Sequence, residues 1–349
     1  MTIPPGGSKS NNHIQILDFL RGLAALSVVF FHFSGSALPT IKPNFVTDFF
    51  SWGKLGVQVF FVISGFIIPY AMHKGGYTLK GAGAFILKRI IRIGPPSWIA
   101  LLLIVAIYYG GIFLNGRPIE GMPWPGVDLR TIVANLTYMY SFLDAGKYNE
   151  VYWTLEIEFQ FYIVIALIHP LLSKFSGQPV LLSGLLLLLS CTYFIHNDEV
   201  LFFKDNSYFI LGILLYLFKT GQITKNYFSY STMAAMLICY AQQDLTSALA
   251  GIVSFLVIAY VRFSNPVTTF LGTISYSLYI THHFTGIISE FVLRNLTGMS
   301  PSMPVKTLMV FVYAGLAVCF AWLFYRFIEK PFIHLSHPKK KITQTAPAT

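Results

Sequence analysis

A bundle of about ten membrane-spanning helices with both termini in the cytoplasm is the all-α fold class that the sequence predicts. Three observations lead there. The 349 residues are 55% hydrophobic and only 11% charged, with a mean hydropathy of +0.63, whereas ordinary soluble domains are roughly a quarter charged. Apolar runs approach the ~20 residues that cross a bilayer as helix, and short polar or Gly/Pro segments separate them. Lys and Arg are shared unevenly between alternate connecting segments. Transmembrane β-strands would instead show short alternating segments.

The first span is expected near 14 to 34. Its end, Ser34-Gly35-Ser36-Ala37, looks like a signal-peptidase site, but Arg21 interrupts the apolar run and His32 suits no discarded leader. The second, 54 to 72, opens with Gly56 and carries Ser64 and Gly65, small residues that suit close helix packing. The third, 97 to 114, follows Pro95-Pro96. From Asn115 to Val151 the chain carries Arg117, Pro118, Pro123, Pro125, Asp128 and Arg130, a long external loop with a short helix over 132 to 142. The fourth span, 152 to 173, opens on the interfacial Trp153. Four shorter runs follow at 179 to 195, 205 to 219, 229 to 241 and 246 to 262. Spans nine and ten lie at 267 to 290 and 305 to 328. One integral membrane domain, 14 to 332, thus stands between cytoplasmic tails at 1 to 13 and 333 to 349, with no internal repeat and no soluble domain.

With the N-terminus inside, sixteen of the 24 Lys and Arg residues fall on the cytoplasmic side and eight outside. This asymmetry explains the net charge of +10 better than a nucleic-acid partner, for which no domain-sized basic face exists. The three cysteines, Cys191, Cys239 and Cys319, sit apart inside apolar runs. They suggest neither a disulfide framework nor a metal-thiolate site.

Ionisable residues within spans carry the chemical signal, because each is expensive unless it faces a cavity or a partner. Arg21 and His32 lie eleven positions apart, which on a helix returns them to within about 20° on one face, ~16 Å apart in height. Arg21 either lines a channel or snorkels to the headgroups; His32 is either functional or a packing hydrogen bond. In Trp153-Thr154-Leu155-Glu156-Ile157-Glu158-Phe159-Gln160-Phe161-Tyr162 the two carboxylates point about 200° apart, so they share no cavity wall, whereas Glu158 and Tyr162 share a face. Glu156 suits a shallow, solvated position. In span nine, Ser275-Tyr276-Ser277-Leu278-Tyr279 precedes His282 and His283, which fall past the midplane. By depth, His32, Glu158 and His282 fit one polar site in the outer half of the membrane. Lys88, Arg89 and Arg92 before span three and Arg326 at the end of span ten are either topological anchors or a cluster for a phosphorylated nucleotide. No P-loop or dinucleotide glycine fingerprint is present.

Several motifs occur in a fixed order: Leu17-Asp18-Phe19-Leu20-Arg21-Gly22 with His32-Phe33, Phe60-Phe61-Val62-Ile63-Ser64-Gly65-Phe66, Arg89 to Pro95, Trp153 to Tyr162, Ser275 to Tyr279, and Tyr325 to Pro331. Together they resemble the acyltransferase type 3 family, membrane O-acetylases of O-antigen, exopolysaccharide, peptidoglycan and nodulation factors, from Leu17 to Phe332. Phe19 stands where that family often has glycine, Phe159 where a second adjacent glutamate is common, and Ser97 where tyrosine is usual. Some members carry a further extracellular esterase-like domain; this sequence ends soon after Pro331, so a membrane unit acting alone or with a separate partner is expected.

The resemblance implies a multi-pass protein of the bacterial inner membrane that moves an acyl group, acetyl above all, from cytoplasmic acetyl-CoA to a carbohydrate hydroxyl without a metal. Arg21, Arg89, Arg92 and Arg326 would hold the donor. His32 would be the general base or an acylated nucleophile, Glu158 would orient it, and His282 or Tyr279 would donate to the oxyanion. Trp153, Tyr162 and Tyr279 would meet substrate. Acceptor sugar and oligomeric state stay open. A transporter or flippase for lipid-linked sugars also explains ten spans and buried charges, but gives no reason for the ordered motifs.

Overall fold

The computed structural model describes residues 15–36, 44–119, 124, 126–194, 202–297 and 302–336. Most of both expected tails, residues 1–14 and 337–349, lie outside the described residues. Every regular element described is helical. They are α1 (Gln15–Phe31), α2 (Phe45–Phe50), α3 (Gly56–Lys74), α4 (Ala82–Asn115), α5 (Leu129–Thr137), α6 (Trp153–Lys174), α7 (Pro179–Cys191), α8 (Asn206–Lys219), α9 (Lys225–Gln242), α10 (Leu245–Tyr260), α11 (Pro266–Thr297), α12 (Met303–Phe324) and α13 (Lys330–Ser336). Five segments are long and apolar enough to cross a membrane: Gln15–Gly35, Phe45–Lys74, Leu79–Leu114, Glu150–Lys174 and Met303–Ser336. Each of the ten expected spans coincides with a helix.

The centre of the bundle is α8. Its residues Asn206 to Leu217 are all buried, and a helix that is apolar all round belongs inside protein rather than against lipid or water. It reaches α3 through glycine on both sides. A Cβ on Gly65 would collide with the Phe209 carbonyl oxygen, and one on Gly212 with the Val62 carbonyl oxygen. The two backbones therefore touch where side chains would hold them apart. A second close crossing joins α1 to α11, where a Cβ on Gly22 would lie 2.7 Å from Leu271 Cβ and one on Gly272 would lie 2.5 Å from the Asp18 carbonyl oxygen. The first contact seats α3 on α8 and the second joins α1 to α11; a Cβ on Gly56 would lie 2.5 Å from the Ala24 carbonyl oxygen, which brings α3 against α1 as well.

Two expectations require correction. The third span was expected to begin after the paired prolines, but α4 starts at Ala82 and runs through Pro95 and Pro96. Proline is tolerated inside a membrane helix where neighbours brace the turn. Here the Tyr276 hydroxyl donates to the Ile93 carbonyl at 2.7 Å and the Ser97 hydroxyl to the Gly94 carbonyl at 2.7 Å. The second correction concerns the segment read as an external loop, whose short helix is α5 rather than 132 to 142. Asp128 caps α5 by accepting from the Thr131 amide at 2.9 Å, and Tyr138 ends it in the left-handed conformation, φ 56°. Beyond it the chain turns inward. Tyr138, Tyr140, Tyr148, Asn149 and Tyr152 are buried, and Asn149 Nδ2 donates to the Ile280 carbonyl of α11 at 2.9 Å. The segment buries apolar rings while the hydroxyls of Tyr138, Tyr148 and Tyr152 find partners; the Tyr140 hydroxyl is buried with none among the described residues.

The glycine contacts lead to a prediction. Gly65→Val or Gly212→Val should destabilise the detergent-solubilised protein by about 1–3 kcal/mol or more for the overpacking, read as a lower unfolding midpoint. Gly315→Val, where an added Cβ meets nothing within 4 Å, should leave it unchanged. Equal midpoints for all three variants would show that the α3–α8 contact is looser than described.

Candidate active site

Each helix contributes its polar residues to a common interior. α1 supplies Arg21 seven residues into its apolar run, and its last turn widens to π geometry over His32–Ser36, a distortion frequent at functional sites. α3 supplies Ser64. The proline-bearing α4 supplies Arg89 and Arg92, α6 supplies Glu158 and Tyr162, and α11 supplies Tyr276 and Tyr279. All of these except His32 line one cavity of about 250 Å³, whose remaining lining is mostly apolar.

Glu158 is the anionic anchor of this cavity. It accepts from the Tyr162 hydroxyl at 2.5 Å and from the Ser64 hydroxyl at 3.1 Å. Tyr162 lies one helical turn from Glu158, as their shared face requires. Arg89 sits over the rings of Phe85 and Tyr162, 5.2 and 5.4 Å from their centroids, so its cation is shared between aromatic faces and the cavity. Arg21 lies within electrostatic reach of Arg92, Glu329, Glu158 and Asp18. The lining thus carries three guanidinium groups against one carboxylate. A second, adjoining pocket shares Ala71, Arg89 and Arg92 with the first and adds Lys88 and the turn around Gly75 and Gly76. The two pockets thus meet at Arg89 and Arg92, beside the turn where α3 leads to α4.

His32, His282 and His283 do not line the cavity, but the ring of Tyr279, which does, is 5.9 Å from that of His282. The ring of His32 is 5.1 Å from that of His282 and 5.7 Å from that of His283. His282 is fully buried, and its Nδ1 faces the carbonyl oxygens of Tyr279 at 2.7 Å and Leu278 at 3.2 Å. Two acceptors require the proton on Nδ1, which leaves Nε2 with its lone pair in the neutral ring. Nε2 is buried and has no hydrogen-bond partner among the described residues. In this tautomer His282 presents a base, not the oxyanion donor expected of it. Tyr279 is also committed: its hydroxyl pairs with Thr154 Oγ1 at 2.8 Å and donates to the Val151 carbonyl at 3.2 Å.

Arg21, Arg89, Arg92, Glu158, Tyr162 and Tyr279 thus share one cavity, and His32 and His282 pair beside it. Other expectations differ from what is found. Glu158 bonds Tyr162 and Ser64 rather than orienting His32, because its face of α6 turns toward α3 and the arginines. Glu156 is not solvated; it is 3% exposed and accepts from the Ser141 amide at 3.2 Å and hydroxyl at 2.7 Å, pinning the inward-turning segment. Trp153 is 37% exposed, does not line the cavity, and has its ring 6.4 Å from that of Phe61. Arg326 points outward between Trp322 and Phe327.

The inward residue of that last motif is Glu329. A π turn over Tyr325–Glu329 rotates it into the bundle, where it accepts from the Ser277 hydroxyl at 2.6 Å and amide at 3.2 Å. Its one signal in the sequence is being the lone acid among basic and aromatic residues at the end of span ten. Ser64 was legible only as a small packing residue.

Comparison with known proteins identifies the family. The acyltransferase domain family matches residues 14–326. A protein of Staphylococcus aureus (strain COL) described as a "Putative O-acetyltransferase" is 27% identical over 379 residues, covering 93% of this chain and 58% of its own length. A "Putative acetyltransferase" of Acidianus two-tailed virus is 26% identical over 296 residues, 75% of this chain and 80% of its own. Nodulation protein 10 of Rhizobium leguminosarum bv. viciae is 28% identical over 176 residues, 47% of this chain and 46% of its own. The chain spans little more than half the length of the Staphylococcus relatives, and no solved structure matches it. The family match takes in every helix that lines the cavity and both of the paired histidines, and the chain belongs to the acyltransferase type 3 family.

Proposed function

We propose that this protein is a multi-pass membrane O-acyltransferase that moves an acyl group, acetyl foremost, from cytoplasmic acyl-CoA to a hydroxyl of a surface or exported glycan. One observation carries the reading: a cavity lined by Arg21, Arg89 and Arg92 is also lined by Tyr279, whose ring lies 5.9 Å from that of His282 in the His32–His282 pair. The adjoining pocket lined by Lys88, Arg89 and Arg92 suits the phosphates of coenzyme A, since guanidinium groups match phosphate oxygens in a fork. The narrow, mostly apolar interior suits the pantetheine arm. The donor is a substrate here, and the chemistry calls for no metal.

Beside the cavity, His32 takes the proton of the acceptor hydroxyl as its oxygen attacks the thioester carbonyl. The carbon–sulfur bond breaks, the coenzyme A thiolate leaves, and the proton held on imidazole can neutralise it. His282, with the lone pair of Nε2 beside His32, is placed to relay or share that proton. Glu158 acts on the donor side of this scheme. It balances the arginines and keeps Tyr162 and Ser64 in register.

The charge asymmetry of the sequence supports ten spans with both termini in the cytoplasm and the basic pocket on the cytoplasmic side of an inner membrane. Reporter fusions after Ser34 and near Pro123 should then read as external, and fusions after Lys80 and Lys341 as cytoplasmic. An external C-terminus would invert the model.

Donor binding is tested at that pocket. Arg89→Gln with Arg92→Gln should weaken acyl-CoA binding by at least tenfold while membrane levels hold. Unchanged affinity would reduce both arginines to topological anchors.

The chemistry is tested at His32. Asparagine keeps the size and some hydrogen bonding of histidine but has no basic nitrogen. His32→Asn should cut glycan acylation by roughly 10² to 10⁴, the range for lost acid–base catalysis, at normal expression. Transfer within a few-fold of the parent would make His32 structural.

A further inference from the structure

Two rings close the donor cavity on the side of the histidines. Phe60 of α3 and Tyr279 of α11 both line it, with centroids 5.7 Å apart and planes at 70°, an edge-to-face pair. Neither ring is loose. Tyr279 is buried and tied by its hydroxyl to Thr154 and to the Val151 carbonyl, both at the start of α6. Phe60 is half-buried and packs against both hydrophobic clusters of the bundle. The ring of Tyr279 is 5.9 Å from that of His282, whereas none of the three histidines lines the cavity. The pair therefore stands between the chamber that carries the arginines and the imidazoles.

The chamber behind it is small. At about 250 Å³ it falls below the ~300–1,000 Å³ of pockets that take drug-sized ligands. Val57, Phe61 and Leu155, all buried and all fixed on helices, also line it. A thin flexible arm fills such a space, and a fatty chain folded back beside that arm has nowhere to lie.

We propose that Phe60 and Tyr279 select the transferred group by length, letting a thioester with a few acyl carbons reach the histidines and refusing longer chains. This rests on reading the cavity as the acyl-CoA site. The rings act as a wall whose edge meets the acyl methylenes, and each methylene that a rigid pocket refuses changes selectivity by roughly 10 to 200-fold. Short-chain preference is then a property of this wall and not of the arginines, which meet the same phosphates on every acyl-CoA.

The test compares acetyl-, butyryl-, hexanoyl- and octanoyl-CoA with the full chain in lipid nanodiscs, reading dissociation constants and transfer to a glycan acceptor. The parent should bind acetyl-CoA at least tenfold more tightly than octanoyl-CoA. Phe60→Ala should raise the octanoyl to acetyl ratio by tenfold or more, in binding and in transfer, and Phe60→Leu by less. Tyr279→Phe, which keeps the ring, should leave the binding ratio near the parent's. If Phe60→Ala fails to insert, the Phe60→Leu ratio decides. A parent that binds acyl-CoA with the same ratio as the Phe60 variants overturns the selector alone. A parent that binds no acyl-CoA of any length overturns the donor-site reading, and the selector with it.

Discussion

Charge cannot be dispersed through an apolar bundle; it has to be gathered. Arg21, Arg89 and Arg92 each interrupt a run that would otherwise face hydrocarbon or protein, and each alone would carry the cost of an unpaired buried ion. The bundle concentrates them around one cavity with Glu158, and holds Glu329 within electrostatic reach on Ser277. The rest of the architecture follows from keeping these five groups together. α1, α3, α4, α6 and α11 must converge.

That convergence needs close backbones. Glycine pairs at the α3–α8 and α1–α11 crossings remove the side chains that would hold the helices apart, so a fully buried helix can act as the post on which the α3 wall of the cavity is built. The inward-turning segment after α5 packs behind the helices that line the cavity. Glu156 and Asn149 fix it to α6 and α11 through bonds to backbone groups, which turns a polar connection into a packed layer.

Two departures from the family pattern meet at one residue. Ser97, where tyrosine is usual, shares a short hydrogen bond with the Tyr138 hydroxyl, and Phe159, where a second glutamate is common, stacks on the Tyr138 ring at 4.7 Å. A hydroxyl on Ser97 and an apolar face on Phe159 are what that tyrosine requires of its neighbours. Read along the chain the two substitutions look unrelated, because they lie 62 positions apart; only the fold makes them a single packing unit.

The sequence by itself determined which segments are helical, which residues are too costly to be accidental, and which helical neighbours share a face. Hydropathy is local, and so is helical periodicity: both are properties of consecutive residues. Ten expected spans therefore coincide with helices, Tyr162 bonds Glu158, and Glu156 points away from it. Tertiary structure alone decided which faces meet. It turned Glu158 toward Ser64 and the arginines instead of His32, sent Arg326 outward and Glu329 inward through one π turn, and buried Glu156 against a segment that reads as loop. It also set the protonated nitrogen of His282, because two carbonyl oxygens one turn back fix Nδ1 as the donor. Such choices depend on helix rotation and on the geometry of single turns, which neighbouring residues do not encode and packing across the bundle does.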